Sequence, residues 1–296
     1  MYLEIKSRAK INLTLEVLYR RADGYHQLKT VMQELLLADT IIMEDREKSG
    51  VVLEADHPGL PPQENNLVFR AAELLREKYA PERGVRIRLQ KNIPLAAGLG
   101  GGSSNAAAVL KGLERLWGLC LDEDILMVLA ASLGSDVPFF LRGGTALAEG
   151  RGELLTSLAH FPRSKVLLAS PRGMELSAGL VYNSLEPGKK GAGRKTDELV
   201  RFLQETEEEG RRSSLLPGLG SFLVNHLEEA VFGLEGRIKL LKERLLEKGF
   251  HALVSGSGPT VFAFSDREGK LLEAAEELSA EGFEVLLTET GPKGSR

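Results

Sequence analysis

From Lys10 to Val17 the chain alternates without a break: Ile11, Leu13, Leu15 and Val17 are apolar, and Lys10, Asn12, Thr14 and Glu16 are polar. Period two predicts a half-buried strand with the four polar residues on one face. The strand runs into RRADGYH, where Asp23-Gly24 marks a turn. TVMQELLL, TIIMED and VVLEA predict three further strands, and Val85–Leu89 another with alternating apolar positions. Between them Asn66 is placed to cap a helix through LVFRAAELLREKY, with Leu67, Ala71, Leu74 and Leu75 as its inner stripe.

Helical spacing returns after residue 104. Ala106, Leu110, Leu113 and Trp117 share a face, with Gly118 as the stop. DILMVLAASL predicts a second apolar helix ending at Gly134, and a hairpin is expected around Gly150–Gly152. HFPRS reads as a connector, and KVLLAS opens a new strand at Lys165. Helices are expected near 175–185, 196–209, 220–232 and 235–248. Then come two strands around a glycine turn (HALVSGSGPTVFAF), a helix over about 267–281 and a last strand, FEVLLTE. That succession predicts a split βαβ sandwich in the second half. The whole is expected to be α+β, with domains at 1–160 and 161–296.

Composition narrows the function classes. A net charge of −4 gives no overall reason to expect a nucleic-acid or anionic-membrane partner. The N-terminal MYLEIKSRAK carries charges where a signal peptide needs an apolar core, and no apolar run approaches the ~18 residues of a membrane span. A cytoplasmic protein is expected. The single cysteine, Cys120, has no partner for an intrachain disulfide and reads as a small buried apolar residue. The acidic run ETEEEG and the basic run KKGAGRK read as a solvated helix end and a loop.

The strongest chemical signal is PLAAGLGGGSS, with glycine at 98, 100, 101 and 102, between a strand and a helix. Glycines let the backbone turn tightly and bring N–H groups to a ligand, and the first N–H groups of a helix are unpaired and favour an anion. The dinucleotide pattern G-x-G-x-x-G fails, because Ser103 stands at its third glycine, and no G-x-x-x-x-G-K-[ST] occurs. A polyphosphate cradle of a third kind is the reading, with a serine hydroxyl available to Mg²⁺ or a phosphate oxygen.

Pro94, Leu95, Ala96, Ala97, Gly98, Leu99, Gly100, Gly101, Gly102, Ser103 and Ser104 together form P-x-x-x-G-L-G-x-x-S-S, which resembles the nucleotide loop of the GHMP kinases. The first strand with its lysine and the late turn SGSGPT at 255–260 resemble that superfamily's other two motifs, in the same order. Within it, AKINLTLEV with RRADGYHQLKT, ENNLVFRAAELL and LGSDVPFFLRGGTALAEGRGE resemble the 4-diphosphocytidyl-2-C-methylerythritol kinases.

The resemblance implies an N-terminal domain like ribosomal S5 domain 2 and a ferredoxin-like C-terminal domain. It implies ATP and Mg²⁺, and phosphorylation of the 2-hydroxyl of the cytidyl-linked methylerythritol in non-mevalonate isoprenoid synthesis. Lys10 and Asp136 take the catalytic roles. The cytosine pocket falls around Tyr25 and His26, with Tyr182 as a second aromatic face and Asn12 as a further substrate contact. Lys91, Asn65 and Asn66 are ATP contacts, and Ser104 a Mg²⁺ ligand. The expected partner is a small molecule, with neither nucleic acid nor membrane, and the protein a monomer or homodimer.

Residue chemistry leaves other readings beside these. Asp136 also suits a helix N-cap, Lys10 an ordinary surface lysine, Tyr182 a core position, and Asn66 a cap. Ala178 stands where relatives have a hydroxyl residue and His226 where they have an acidic one, so neither is given a role. Another GHMP kinase, for homoserine or mevalonate, is the nearest alternative, opposed by ADGYH. An S5-like nucleic-acid-binding module is opposed by the acidic balance, and a dinucleotide oxidoreductase by the failed fingerprint.

Overall fold

The computed structural model describes residues 1–159, 161–185, 192–208, 215–265 and 267–291. The first residues of KKGAGRK, the last of ETEEEG and residue 160, where the domain boundary was expected, lie outside them. Two compact units interleave along the chain. The first is Met1–Ala9, Leu37–Leu95 and Gly100–Arg142, and the second Lys10–Leu36, Ala96–Leu99 and Gly143–Arg296.

Strand β1 (Tyr2–Arg20) and strand β2 (His26–Arg46) each contribute to both units. The two strands expected at TVMQELLL and TIIMED are therefore one, because no glycine or proline interrupts the run between them. In the first unit, β3 (Gly50–Ala55) pairs parallel with β4 (Gly84–Gln90), and β4 pairs antiparallel with Thr40–Arg46 of β2. Helix α1 (Leu67–Tyr79) and helix α2 (Gly101–Trp117) pack on one another. They are followed by α3 (Glu123–Leu133) and α4 (Val137–Arg142).

Small residues set these distances. A Cβ on Gly112 would lie 2.0 Å from Met43 Cε and 2.9 Å from Ile5 Cδ1, so glycine lets α2 pack on β2 without displacing those side-chain ends. Helix α1 buries Val68, Ala71, Ala72 and Leu75. The expected stripe of Leu67, Ala71, Leu74 and Leu75 is thus rotated: Leu67 and Leu74 are half-buried, because the tight α1–α2 contact selects the alanines. Gly118 ends α2 in the left-handed region at φ 63° as expected, but Cys120 beyond it is exposed, with φ 53°. The expected burial of Cys120 is corrected: it sits in the α2–α3 turn, outside the apolar period of either helix.

In the second unit, β5 (Thr145–Gly150) and β6 (Leu154–Ser157) form the expected hairpin, and β5 pairs with Leu28–Gln33 of β2. Next come β7 (Lys165–Pro171), α5 (Ala178–Asn183), α6 (Arg194–Glu208) and α7 (Leu215–Leu219). The region expected as one helix over 220–232 is instead β8 (Val224–Asn225), parallel to β1, followed by α8 (Glu228–Leu234). Asn225 breaks the helix by using its side-chain oxygen to accept from Leu227 N at 2.9 Å.

Helix α9 (Gly236–Glu247), β9 (His251–Val254), β10 (Val261–Phe264), α10 (Glu268–Ala280) and β11 (Phe283–Glu289) complete the unit. A four-stranded antiparallel sheet, ordered β11-β7-β10-β9, carries α9 and α10 through Ile238, Leu241, Leu245, Leu271, Ala274 and Leu278. No helix among the described residues is long and apolar enough to cross a membrane.

Candidate active site

The polar face of β1 is where the structure departs most usefully from the alternation. The alternation predicts a strand buried on one side only, yet Lys10, Asn12, Thr14 and Glu16 are 4%, 1%, 0% and 4% exposed. Each is satisfied by a neighbour, as buried polar groups must be. Lys10 Nζ donates to Asn12 Oδ1 at 2.7 Å, and Asn12 Nδ2 donates to Thr30 Oγ1 at 2.8 Å. Thr14 Oγ1 accepts from Val31 N at 3.0 Å. Glu16 Oε2 accepts from Thr196 N, in the first turn of α6, at 2.8 Å.

Beside Lys10 lie two bends. Ala96, Gly98 and Gly100 have φ of 47°, 74° and 71°. In the second unit, three carbonyls of this loop accept from neighbours: Leu99 O from Lys10 N at 3.0 Å, Gly98 O from Ser255 Oγ at 3.0 Å and Ala96 O from Leu176 N at 3.4 Å. Among the described residues, the N–H groups from Ala96 to Gly102 donate to no protein acceptor. That leaves a run of main-chain donors leading into the N-terminus of α2, which is the chemistry an anionic group uses.

The second bend, 255–260, closes through Ser255 N to Thr260 O at 2.8 Å and Gly258 N to Ser255 O at 2.8 Å. A methyl group on Gly256 would lie 3.2 Å from Gly98 O, 3.4 Å from Asn12 Oδ1 and 3.5 Å from Lys10 Nζ, so the second bend, the first bend and the β1 lysine meet. Asn225 fixes this bend, donating to Val254 O at 2.9 Å and Gly256 O at 2.8 Å. Sequence reasoning missed Asn225, whose only signal was an amide next to the unassigned His226. His226 itself is structural: its Nδ1 accepts from Val17 N at 3.1 Å, and its N–H donates to Leu15 O at 2.9 Å.

Also in the second unit, the turn after β1 presents an aromatic cluster. Asp23 Oδ1 accepts from Tyr25 N at 3.1 Å, and Tyr25 is 53% exposed with the Arg151 guanidinium 4.8 Å from its ring centre. His26 and Tyr182 stack at 5.4 Å with an angle of 23°. Burial and then the Arg20 charge hold the His26 imidazole below its usual value. Ala178 opens α5 and is exposed.

The first unit holds the other expected residues. Asp136 is half-buried in the turn ahead of α4. Asn65 is exposed in a 3₁₀ turn, whereas Asn66 is 5% exposed and its Oδ1 accepts from Val68 N at 2.9 Å, the capping arrangement. Lys91 is not at the surface: its ammonium is buried on Asp39 and also donates to Asn105 Oδ1 at 3.3 Å. Ser104 is 2% exposed and its hydroxyl pairs with Ser7 Oγ at 2.7 Å, a poor fit to a Mg²⁺ ligand. Ser103 is half-buried and is the more accessible hydroxyl of the two. Among the described residues no three His, Cys, Asp or Glu side chains cluster as a metal site.

Known proteins bear on this arrangement. Residues 66–144 match the GHMP kinases N terminal domain and residues 204–284 the GHMP kinases C terminal family. A 4-diphosphocytidyl-2-C-methyl-D-erythritol kinase of Alkaliphilus metalliredigens (strain QYMF) is 40% identical over 278 residues, 94% of this chain and 92% of that protein. The corresponding protein of Synechococcus sp. (strain JA-3-3Ab) is 42% identical over 97% of this chain and 94% of its own length. A crystal structure of 4-(cytidine 5'-diphospho)-2C-methyl-D-erythritol kinase superposes with a TM-score of 0.80 at 36% identity, covering 98% of this chain and 100% of that one. Homoserine kinase from Cytophaga hutchinsonii, at 19% identity and a TM-score of 0.75, shares the fold. The expected α+β, two-domain architecture is thus that of the GHMP kinases. The chain belongs to their 4-diphosphocytidyl-2-C-methyl-D-erythritol kinase family.

Proposed function

We propose that the protein transfers the γ-phosphate of ATP to the 2-hydroxyl of 4-(cytidine 5'-diphospho)-2-C-methyl-D-erythritol, giving the 2-phosphate and ADP in non-mevalonate isoprenoid synthesis. The observation that carries this reading is the buried Lys10 ammonium, 2.7 Å from Asn12 Oδ1 and beside both glycine bends. An ammonium at that place can donate charge-assisted hydrogen bonds to the transferred phosphate and to its acceptor oxygen.

Phosphoryl transfer passes through a loose transition state, so positioning and charge neutralisation account for most of the catalysis. The acceptor oxygen forms a bond to the γ-phosphorus while the bond to the β–γ bridging oxygen breaks and ADP leaves. The hydroxyl proton passes to the Asp136 carboxylate. Lys10 orients the acceptor oxygen and neutralises the equatorial phosphate charge. N–H groups of residues 96–102 hold the phosphates, with Ser103 as the accompanying hydroxyl. Mg²⁺, when bound with the nucleotide, would reduce the charge on the triphosphate, and no side chain of this chain is assigned to it. Tyr25, His26 and Tyr182 take the cytosine, a flat base suited to aromatic faces. The domain division near residue 160 belongs to this reading and is supported by the two family segments lying on either side of it.

Turnover with the cytidyl-linked methylerythritol, set against homoserine and mevalonate, is the test. Wild type should turn over the first only. Lys10→Met and Asp136→Asn should each lower kcat by about 100-fold or more, the scale of acid–base and charge contributions, with ATP affinity changed less than about threefold. Unchanged kcat in Asp136→Asn would remove that carboxylate from the mechanism. A loss confined to ATP affinity in Lys10→Met would make Lys10 a nucleotide ligand instead.

A further inference from the structure

Asp39 falls between the predicted strands TVMQELLL and TIIMED and has no role in the sequence reading, yet it is 0% exposed and accepts four hydrogen bonds. Its Oδ1 accepts from Asn92 N at 2.7 Å and Ile93 N at 2.8 Å, the two residues that enter the glycine loop. Its Oδ2 accepts from the Lys91 ammonium and from Asn105 Nδ2 at 2.8 Å, the latter in the first turns of α2 where the loop exits. Asn105 Nδ2 also lies 2.9 Å from Ser7 Oγ, which pairs with the Ser104 hydroxyl. All of these residues lie in the first unit.

We propose that Asp39 is a positioning residue for the nucleotide loop: one carboxylate holds the segment that enters it, just past the end of β4, and the helix that leaves it at a fixed separation. A cradle made of main-chain N–H groups recognises phosphate only when those groups converge, so the spacing of the loop's two ends decides its affinity. An apolar pair of the same volume could join β4 to α2 without the cost of burying charges. Hydrogen bonds add direction, and here the directions are set at Asn92, Ile93 and Asn105. Packing agrees: a Cβ on Gly101 would lie 3.1 Å from Ile93 Cγ2 and 3.2 Å from Lys91 Nζ, so side chains of the entering segment already lie close against the start of α2.

This inference rests on residues 94–104 binding ATP, and the experiment separates the two. Mg-ADP is titrated into wild type, Asp39→Asn, Lys91→Met, the neutral double variant Asp39→Asn/Lys91→Met and the milder Ser7→Ala, while amide hydrogen exchange is followed over 94–104. Thermal melts identify the folded variants. The expected result is a Kd for Mg-ADP raised about 10-fold or more in the Asp39 variants and about threefold in Ser7→Ala. Exchange over the loop should be faster in each, and the acceptor KM within about twofold of wild type. Failure of wild type to bind Mg-ADP would overturn the nucleotide reading itself. Binding by wild type, with folded Asp39 variants keeping its Kd and loop exchange, would overturn the positioning role. If the Asp39 variants do not fold, Ser7→Ala decides it in the same way.

Discussion

Gly98 and Gly102 stand four positions apart, one in the loop and one in the first turn of α2, and the structure asks different things of them. Gly98 has φ +74°, and a Cβ there would sit 2.1 Å from Ser255 O, a main-chain atom that cannot yield. Gly98→Ala should therefore cost roughly 2–4 kcal/mol, combining left-handed strain with overpacking. Gly102 is exposed in α2, and its Cβ would meet only Leu67 Cδ1, at 3.6 Å. Gly102→Ala should leave stability unchanged or raise it by up to about 1 kcal/mol, since alanine is the better helix former. If these N–H groups hold phosphate, the same substitution should weaken Mg-ADP binding about 10-fold. Denaturation curves and nucleotide titrations on the two variants check this; equal destabilisation by both would contradict it.

Among the elements, α1 shows how a polar residue near a nucleotide loop can belong to the scaffold. Asn66 accepts from Val68 N and is nearly buried, so its amide is committed to the helix. Asn66→Ala should lose about 1 kcal/mol of stability, as caps generally do, while Asn66→Asp should retain most of it. A chemical denaturation series measures this. Unchanged stability together with a large rise in ATP Kd would instead return Asn66 to the nucleotide. The same logic applies along β1: the polar face survives burial because β2 and α6 supply partners at Thr30, Val31 and Thr196.

Taken as a whole, the molecule should be less stable in acid, in two steps. The folded-state pKa of His26 is depressed, so its neutral form is favoured in the fold and stability is complete above the usual 6.5. It declines as pH falls below that value, until the depressed pKa is passed. Glu289 is lowered by its hydrogen bond from Lys165 and then that from Arg163, and Glu277 by Lys248. Their contribution is present above the usual 4.5 and is lost as pH falls through their lower folded values. Glu277 is exposed and Glu289 half-buried, so salt should weaken the Glu277 part of the second step more. Melting temperatures from pH 8 to 3, with His26→Gln as control, check the sign: that variant should lose the first step and keep the second.

The sequence by itself determined the strands and helices with clean periodicity, the glycine loop and the family. Those follow from local rules: period two, period 3.6, and backbone angles open only to glycine. Tertiary structure decided which polar groups are free. Lys91 and Ser104 looked available to a ligand because nothing within a few residues pairs with them; their partners Asp39 and Ser7 lie 52 and 97 residues away. The buried face of β1, the rotated stripe of α1, the exposure of Cys120 and the two-residue strand at Val224–Asn225 have the same origin. A side chain's surroundings are set by whatever the chain brings back against it, and a window along the sequence does not contain those residues.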